Sequence, residues 1–274
     1  METLKNTINT VNLTDNQTAL FYLGQDVFIF KNKNANFGID LYLSDFVDKN
    51  CCQFVKWERL YPAPITAEKL DMLDFVICTH AHYDHADPET LPKLAKANAK
   101  TVFIVPAPTV ETISSYGIPT ERIIPAKAFC PITVNGVTIT PIPSAHEVFH
   151  QDDFGNYFEL GYIVNNGSST IFHAGDMCMY DGLVDNLKNI DIALLPINGR
   201  DYFRNQNDII GNFDCVEAVT LAKLIKADLL IPMHHDLYAL NNVRISYFTD
   251  AIADIDANRK YKVFTPAECY IYEK

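Results

Sequence analysis

Three histidines and one aspartate lie close together in the segment His80-Ala-His82-Tyr-Asp84-His85. The segment directly follows Phe75–Thr79, an apolar run that is typical of a buried strand. Packing does not explain several imidazoles at such a strand end, because each would need its own hydrogen-bonding partner. Residues 80 and 82 project to the same side of an extended chain, whereas residues 84 and 85 turn toward a neighbouring position. The spacing therefore predicts two adjacent cation sites, and imidazole nitrogens with carboxylate oxygens suit Zn²⁺, Mn²⁺ or iron.

Further candidate ligands must come from elsewhere in the chain, because one short segment cannot complete a catalytic coordination shell. Open α/β sheets gather functional groups at the ends of their strands. Later strand ends supply the remaining candidates, which are His146 after Ile139–Pro143, Asp176 after Thr170–His173, and His234 or His235 after Leu229–Pro232.

The elements that must position these residues follow a recognisable order. Short strands come first, at Ala19–Leu23, Val27–Lys31 and Phe37–Leu43, and strands then alternate with helices. Pro88–Ala97 is predicted as a helix with Asp87 as a candidate N-cap, and Asp214–Lys226 as another. Asn135-Gly136 between two apolar runs predicts a hairpin. Two sheets packed face to face, each covered by helices, would satisfy this order in one α/β domain.

Composition excludes several classes of protein. The 274 residues are 48% hydrophobic and 20% charged, as in globular proteins. Acidic residues exceed basic ones by 34 to 22, which argues against a generic nucleic-acid binder. The polar start has no apolar signal-peptide core, no apolar run approaches membrane-spanning length, and the seven cysteines form no CxxC pair. We therefore expect a cytoplasmic protein without membrane partners.

Since candidate ligands come from both halves of the chain, we expect one domain over residues 1–274.

Together these motifs resemble the metallo-β-lactamase superfamily. The closer resemblance is to its L-ascorbate-6-phosphate lactonase branch and covers nearly the whole chain. The matching segments are Ile39–Ser44, Leu60–Pro64, Asp87–Leu91, His173–Asp176 and Pro196–Asp201. The resemblance implies a four-layer αββα sandwich with the metal site at one edge of the two sheets.

The resemblance also implies a division of the ligands between two sites. One site would hold His80, His82 and His146, and the other Asp84, His85 and a late histidine, with Asp176 bridging the two. His234 matches the expected Pro-x-His spacing after the strand, and His235 is the alternative. Relatives in this branch are associated with manganese, so we expect one or two divalent ions, Mn²⁺ or Zn²⁺.

Other polar residues near the motifs are assigned supporting roles. His173 is expected to be structural or to support a ligand, and His150 to lie in a surface loop. Asp40 and Asp87 could each fix an imidazole tautomer, or could equally be strand-end or cap residues.

Such a site fits metal-assisted hydrolysis. A divalent cation lowers the pKa of its bound water toward neutrality, so that hydroxide can attack a carbonyl or phosphoryl group. Asp84 could orient that water and exchange a proton with it, besides any role as a ligand. The metal pattern alone does not choose among esters, lactones, amides and phosphodiesters. By resemblance, a phosphorylated sugar-acid lactone is the leading substrate.

Polar residues after the strand Leu194–Pro196 suggest how a small anionic substrate, which we expect to be phosphorylated, could be held. They would bind a phosphate or carboxylate through charge-assisted hydrogen bonds, helped by the N-terminus of the following helix. The candidates are Asn198, Arg200, Arg204, Asn205 and Asn212. The alternative is a solvated loop with Arg–Asp pairs.

Two other functions remain open at this stage. One is a metal-dependent phosphodiesterase that acts on a small nucleotide or other diester. The other is a metal-binding scaffold without hydrolysis, which would need an iron site enriched in carboxylates, and Asp84 beside His85 weighs against it. The sequence leaves homo-oligomer formation open.

Overall fold

The computed structural model describes residues 2–53 and 55–274, which form two mixed β-sheets with helices on their outer faces. The helices are α1 (Glu2–Thr10), α2 (Phe46–Asn50), α3 (Thr90–Ala97), α4 (Val110–Ser115), α5 (Leu183–Asn186), α6 (Tyr202–Gln206), α7 (Cys215–Leu224) and α8 (Ile245–Ile255). The strands are β1 (Gln17–Gly24), β2 (Val27–Lys31), β3 (Asn36–Ile39), β4 (Phe75–Ile77), β5 (Val102–Pro106), β6 (Ile123–Ala126), β7 (Ile132–Val134), β8 (Val137–Pro143), β9 (Leu160–Asn165), β10 (Thr170–His173), β11 (Ile192–Pro196), β12 (Leu229–Met233), β13 (Lys260–Tyr261) and β14 (Cys269–Glu273).

The two sheets share one pattern of strand pairing. The first has the order β14-β1-β2-β3-β4-β5-β6 and the second the order β13-β12-β11-β10-β9-β8-β7. In the first sheet, neighbouring strands in the segment β14-β1-β2-β3 are antiparallel, and those in the segment β3-β4-β5-β6 are parallel. In the second sheet, neighbouring strands in the segment β7-β8-β9-β10 are antiparallel, and those in the segment β10-β11-β12-β13 are parallel. Each parallel half requires crossover connections, and these carry most of the helices.

Alternating side chains in the first sheet face two separate cores. In β1, Leu20 and Tyr22 belong to the core between the sheets, whereas Phe21 and Leu23 face the opposite side. That outer core also contains buried side chains of α1, α3 and α4, the helices that cover the sheet. Because successive side chains of a strand point to opposite faces, both faces of this sheet are buried.

Helices α7 and α8 cover the outer face of the second sheet, and their buried side chains join the same cluster as β11 and β12. Helix α7 begins at a capping box, in which the Asp214 carboxylate accepts from the Glu217 amide and the Glu217 side chain accepts from the Asp214 amide. The layers thus run helix, sheet, sheet, helix, and the predicted four-layer α/β sandwich is confirmed. None of the helices in the described ranges is long and apolar enough to span a bilayer.

Several element boundaries differ from the predictions for local reasons. Strand β3 ends at Ile39, because Asp40 adopts a φ of 51° and the chain turns there. Helix α3 begins at Thr90 rather than Pro88, although the Asp87 carboxylate accepts from the Glu89 amide as a cap residue would, besides accepting from Ser44 and Thr90. Helix α1 has no strong apolar pattern, and it was not predicted. The Asn135-Gly136 hairpin is confirmed, with positive φ at both residues.

Candidate metal centre

The histidine segment and the later strand ends meet at one edge of the two sheets. The segment 80–85 follows β4, and the segments after β8, β10 and β12 supply His146, Asp176 and His234. Gly175 allows the β10 segment to approach closely: its φ is +60°, and a Cβ there would lie 2.6 Å from the Thr79 side chain. The fold therefore concentrates ligands from both sheets in one small volume.

Two clusters of ligand atoms result, and Asp176 belongs to both. The first consists of His80, His82, His146 and Asp176, and the second of Asp26, His85, Asp176 and His234. Within each cluster the ligand atoms lie within 4.8 Å of one another. The predicted bridging position of Asp176 matches this arrangement, and His234 rather than His235 is the late histidine that joins it.

The distances around Asp176 show how its two oxygens are shared. Its Oδ2 lies 3.4 Å from Nε2 of His146 and 3.5 Å from Nε2 of His85. Its Oδ1 lies 3.4 Å from Nε2 of His234. Two atoms each about 2.1 Å from a tetrahedral cation are about 3.4 Å apart. The spacing is therefore that of ligands around a common cation.

The polar atoms of the clusters support the same conclusion. Among the described residues, Nε2 of His80, Nε2 of His85, Oδ1 of Asp176 and both carboxylate oxygens of Asp26 are buried without a hydrogen-bonding partner. Each buried polar atom without a partner costs free energy, and an unpaired buried carboxylate costs more. Divalent cations would satisfy all of these atoms at once, so the donor set fits them.

Hydrogen bonds at the far side of the imidazole rings fix which nitrogen faces the centre. Nδ1 of His85 donates to Oδ2 of Asp40 over 2.9 Å, which leaves its Nε2 free to bind a cation. The Thr79 hydroxyl donates to the same carboxylate and accepts from Nδ1 of His80. Nδ1 of His146 donates to the carbonyl of Gly211. Asp40 thus has the supporting role that was one of its two predicted alternatives.

Burial keeps two imidazoles of the first cluster neutral. It lowers the pKa of His80 well below its usual value, with the neighbouring His85 and His82 acting in the same direction. Burial likewise brings the pKa of His146 to about 4, whereas His82 is exposed at the edge of the cluster. A neutral imidazole has a free lone pair, which is the form that binds metal.

The shared carboxylate is held in its ionised form. Burial acts to raise the pKa of Asp176, but the imidazoles of His234, His85 and His146 outweigh burial and hold it well below its usual value. Conversely, Asp176 and neighbouring carboxylates overcome burial and raise the pKa of His85 and His234. A bound cation would replace these protons, as expected when ligands must lose protons to bind metal.

Asp26 is a ligand candidate that the sequence did not reveal. It lies in the tight turn between β1 and β2, and its Oδ2 is 3.5 Å from Nε2 of His85 and 3.6 Å from Nε2 of His234. His173 holds this turn in place, because its Nε2 donates to the backbone carbonyl of Asp26. An aspartate between two strands is ordinary turn chemistry, so only its burial marks it as functional.

Asp84, predicted as a ligand of the second site, lies close to two imidazoles of the second cluster, to which Asp26 also belongs. Oδ2 of Asp84 is 3.8 Å from Nε2 of both His85 and His234. The side-chain amide of Gln25 donates to the same oxygen over 2.7 Å. Its side chain is 25% exposed, whereas that of Asp26 is fully buried. Asp84 therefore faces the solvent side of the centre, where a substrate would arrive.

The five residues predicted to bind an anion are not among those that line the cavity over the metal centre. Both Nη atoms of Arg200 donate to the carboxylate of Glu217, and the guanidinium of Arg204 donates to Asp201 and to the side chain of Asn241. Asn198 bonds to Asn212 and to Asn241, and Asn205 is exposed. The Arg204–Asp201 pair is one that the loop alternative expected, but the segment is not a solvated loop, because Arg204, Asn198 and Asn212 are buried and Tyr202–Gln206 forms α6.

The remaining histidines lie outside both clusters. His173 has the structural role that was predicted, and His150 is half-exposed with its ring against Glu159. His235 is buried beside His234 but contributes no atom to either cluster. The Asp87 carboxylate accepts from the backbone amides of Leu43, Ser44 and Glu89, and the last of these bonds corresponds to the predicted alternative of a cap residue.

Replacing Asp26 by asparagine should weaken the second cation site. The D26N variant keeps the size of the side chain but removes the buried charge, so we expect the bound metal to fall from two equivalents toward one. Elemental analysis after dialysis against metal-free buffer measures this. The matched control is D185N, because Asp185 is exposed on α5. Two full equivalents in D26N would show that Asp26 is not a ligand.

Removing metal should lower thermal stability. A ligand present at 1,000 times its Kd stabilises the folded state by about 4 kcal/mol, and for a chain of this size that corresponds to roughly 5–10 °C in Tm. The effect arises because the buried carboxylates and imidazoles lose their common partner. Differential scanning calorimetry with and without a chelator checks the shift. An unchanged Tm would mean that no cation occupies the clusters.

Comparison with known proteins agrees with the fold and the centre. A model of the beta-lactamase superfamily domain matches residues 45–235. A UPF0173 metal-dependent hydrolase from Saccharolobus solfataricus is 30% identical over 198 residues, which cover 69% of this chain and 79% of the relative.

Two solved structures have the same architecture. One is Igni18, a metallo hydrolase from Ignicoccus hospitalis, with a TM-score of 0.71, 19% identity, and coverage of 94% of this chain and 99% of the other. The other is the metallo-beta-lactamase fold protein YhfI from Bacillus subtilis, with a TM-score of 0.66, 17% identity, and coverage of 94% and 100%. The chain belongs to the metallo-β-lactamase superfamily and is a metal-dependent hydrolase.

Proposed function

We propose that this hydrolase cleaves a carboxylic ester or lactone at the centre shared by the two ligand clusters. The observation that carries the proposal is that both clusters meet at Asp176 beneath one cavity of about 470 Å³. Asp84, His82 and His146 line the same cavity. A carbonyl group bound there would lie against both clusters at once.

Divalent cations at such a site would lower the pKa of a coordinated water and polarise a carbonyl oxygen. The chain itself supplies a proton acceptor in Asp84. Burial acts to raise the pKa of Asp84, but the imidazoles of His85 and His234 hold it below its usual value. The carboxylate is therefore ionised near neutral pH, and Gln25 holds one of its oxygens in position. Asp84 can accept a proton from the attacking water and return it to the leaving oxygen.

The lactone part of the proposal rests on the resemblance to the lactonase branch. A phosphorylated sugar-acid lactone was predicted partly because Arg200 and Arg204 could hold its phosphate. Both guanidinium groups are bonded to carboxylates of the chain, outside the cavity lining. We therefore keep the ester or lactone as the reacting group and do not retain the phosphate. Mn²⁺ and Zn²⁺ stay as the two candidate metals.

A substrate screen of the metal-loaded protein tests this proposal. We expect turnover of γ-butyrolactones or phenyl acetate at least about a hundredfold above the metal-free protein. Bis(p-nitrophenyl) phosphate serves as the competing substrate class. If the phosphodiester were cleaved and the carboxylic esters and lactones were inert, the protein would be a phosphodiesterase and the proposal would fail.

A further inference from the structure

The wall of the cavity above the metal centre is largely apolar and aromatic. It includes Val47 of α2, Trp57 from the loop that follows it, Tyr83 beside the histidine segment, Tyr116 at the end of α4, and the pair Ile209 and Ile210 after α6. The ring of Trp57 packs against that of Tyr238 with centroids 5.1 Å apart, and the ring of Tyr83 packs against Phe46 at 4.8 Å. Neighbouring aromatic residues thus hold two of the wall rings in place.

No lysine or arginine lines this cavity within the described ranges. The basic residues on the wall segments are each paired with a carboxylate elsewhere. These pairs are Lys49 with Asp45, Lys56 with Glu58, Arg200 with Glu217, and Arg204 with Asp201. Arg59, which lies nearby, packs its guanidinium over the ring of Tyr42 and donates to a backbone carbonyl.

The charged groups that do line the cavity are acidic. Asp84 and Asp176 lie at its floor beside the imidazoles, and Asp208 lines it next to the two isoleucines. The other polar lining groups include the neutral side chains of Thr112 and Asn241. An anionic group held against this wall would find Asp208 and no side-chain cation, so beyond the metal centre itself nothing on the wall would compensate its charge.

We infer that the substrate is an uncharged ester or lactone that carries an aromatic or branched apolar group. The apolar group lies against Trp57, Tyr116 and the isoleucines, while the carbonyl reaches the metal centre. Burial of apolar surface drives the binding, and the few polar groups orient the reacting end. The inference rests on the proposed function, because it names the substrate class for the same site.

Matched substrates provide the test. γ-Phenyl-γ-butyrolactone and its 4-carboxyphenyl analogue share the reacting ring and differ by one negative charge. We expect kcat/KM to be about tenfold or more higher for the neutral lactone, mainly through KM. Equal or higher kcat/KM for the carboxylated lactone would overturn the inference and leave ester or lactone hydrolysis intact.

A positive charge added to the wall should largely remove this preference for the neutral lactone. Ile210 is 39% exposed, so an arginine can replace it without entering the core. In I210R we expect the ratio of kcat/KM for the carboxylated lactone to that for the neutral lactone to rise about tenfold. The control is I271R, since Ile271 is 43% exposed on β14 and does not line the cavity. An unchanged ratio in a folded I210R protein with full metal content would contradict the assigned wall.

A binding measurement tests the inference without relying on turnover. Trp57 is the single tryptophan of the chain and lines the cavity, so its fluorescence reports on occupancy. We expect 5-phenylpyrrolidin-2-one, a lactam that resists hydrolysis, to change this emission at lower concentration than its 4-carboxyphenyl analogue. If phosphodiesters alone were hydrolysed, the proposed function and the uncharged substrate would fail together. Equal or tighter binding of the 4-carboxyphenyl lactam would overturn the inference alone and leave ester or lactone hydrolysis intact.

Discussion

Replacing Asp176 by asparagine should abolish binuclear metal binding and lower hydrolysis at least about a hundredfold. Loss of a residue that merely supports a ligand typically costs ten- to a hundredfold in affinity or activity, and Asp176 is shared by both clusters. D176N keeps the shape of the side chain but removes the charge that faces His85, His146 and His234. Elemental analysis and kcat/KM on a reactive ester measure the two effects together.

The control for D176N is D254N, because Asp254 is exposed on α8 and far from the ligand segments. We expect D254N to keep full metal and full activity. If D176N also kept two equivalents of metal and wild-type kcat/KM, the two clusters would not depend on a shared carboxylate, and our description of the site would be wrong.

Replacing Asp84 by asparagine should affect the reaction more than metal binding. Asp84 faces the cavity and is held by Gln25, whereas Asp26 occupies the buried position in the second cluster. General acid–base catalysis contributes about 10²–10⁴-fold, so we expect kcat to fall by about that factor in D84N. Metal content should fall much less.

Comparison with D26N separates the two carboxylates. We expect D26N to lose metal first and to regain activity at high metal concentration, because the proton acceptor is intact. D84N should not recover under the same conditions. If added metal restored D84N to wild-type kcat, Asp84 would act only as a ligand.

Much of the metal centre could be predicted from the sequence, because its ligands follow apolar strands. The motif from His80 to His85 and the later His146, Asp176 and His234 each stand at the end of a buried run, where sheets expose functional groups. The order of strands and helices likewise predicted the layers, because helix and strand periodicities are strong in this chain.

Asp26 could not be found in this way, because its role depends on how the first hairpin packs against the second sheet. An aspartate two residues after a glycine, in Gly24-Gln25-Asp26, is typical of a turn, and its contact with His85 and His234 is set by tertiary structure. For Arg200, the sequence suggested a substrate-binding role that its contacts in the structure do not support. Its position after a strand suggested an anion site, yet Glu217, brought close by helix α7, binds its guanidinium.

Electron paramagnetic resonance of the protein loaded with two equivalents of Mn²⁺ tests the central claim most directly. Because Asp176 contributes to both clusters, two Mn²⁺ ions held by them would be bridged by one carboxylate. We expect the spectrum of an exchange-coupled pair at two equivalents, and its loss in D176N. A spectrum made up only of isolated six-line Mn²⁺ signals, or binding of no more than one ion, would contradict the shared centre.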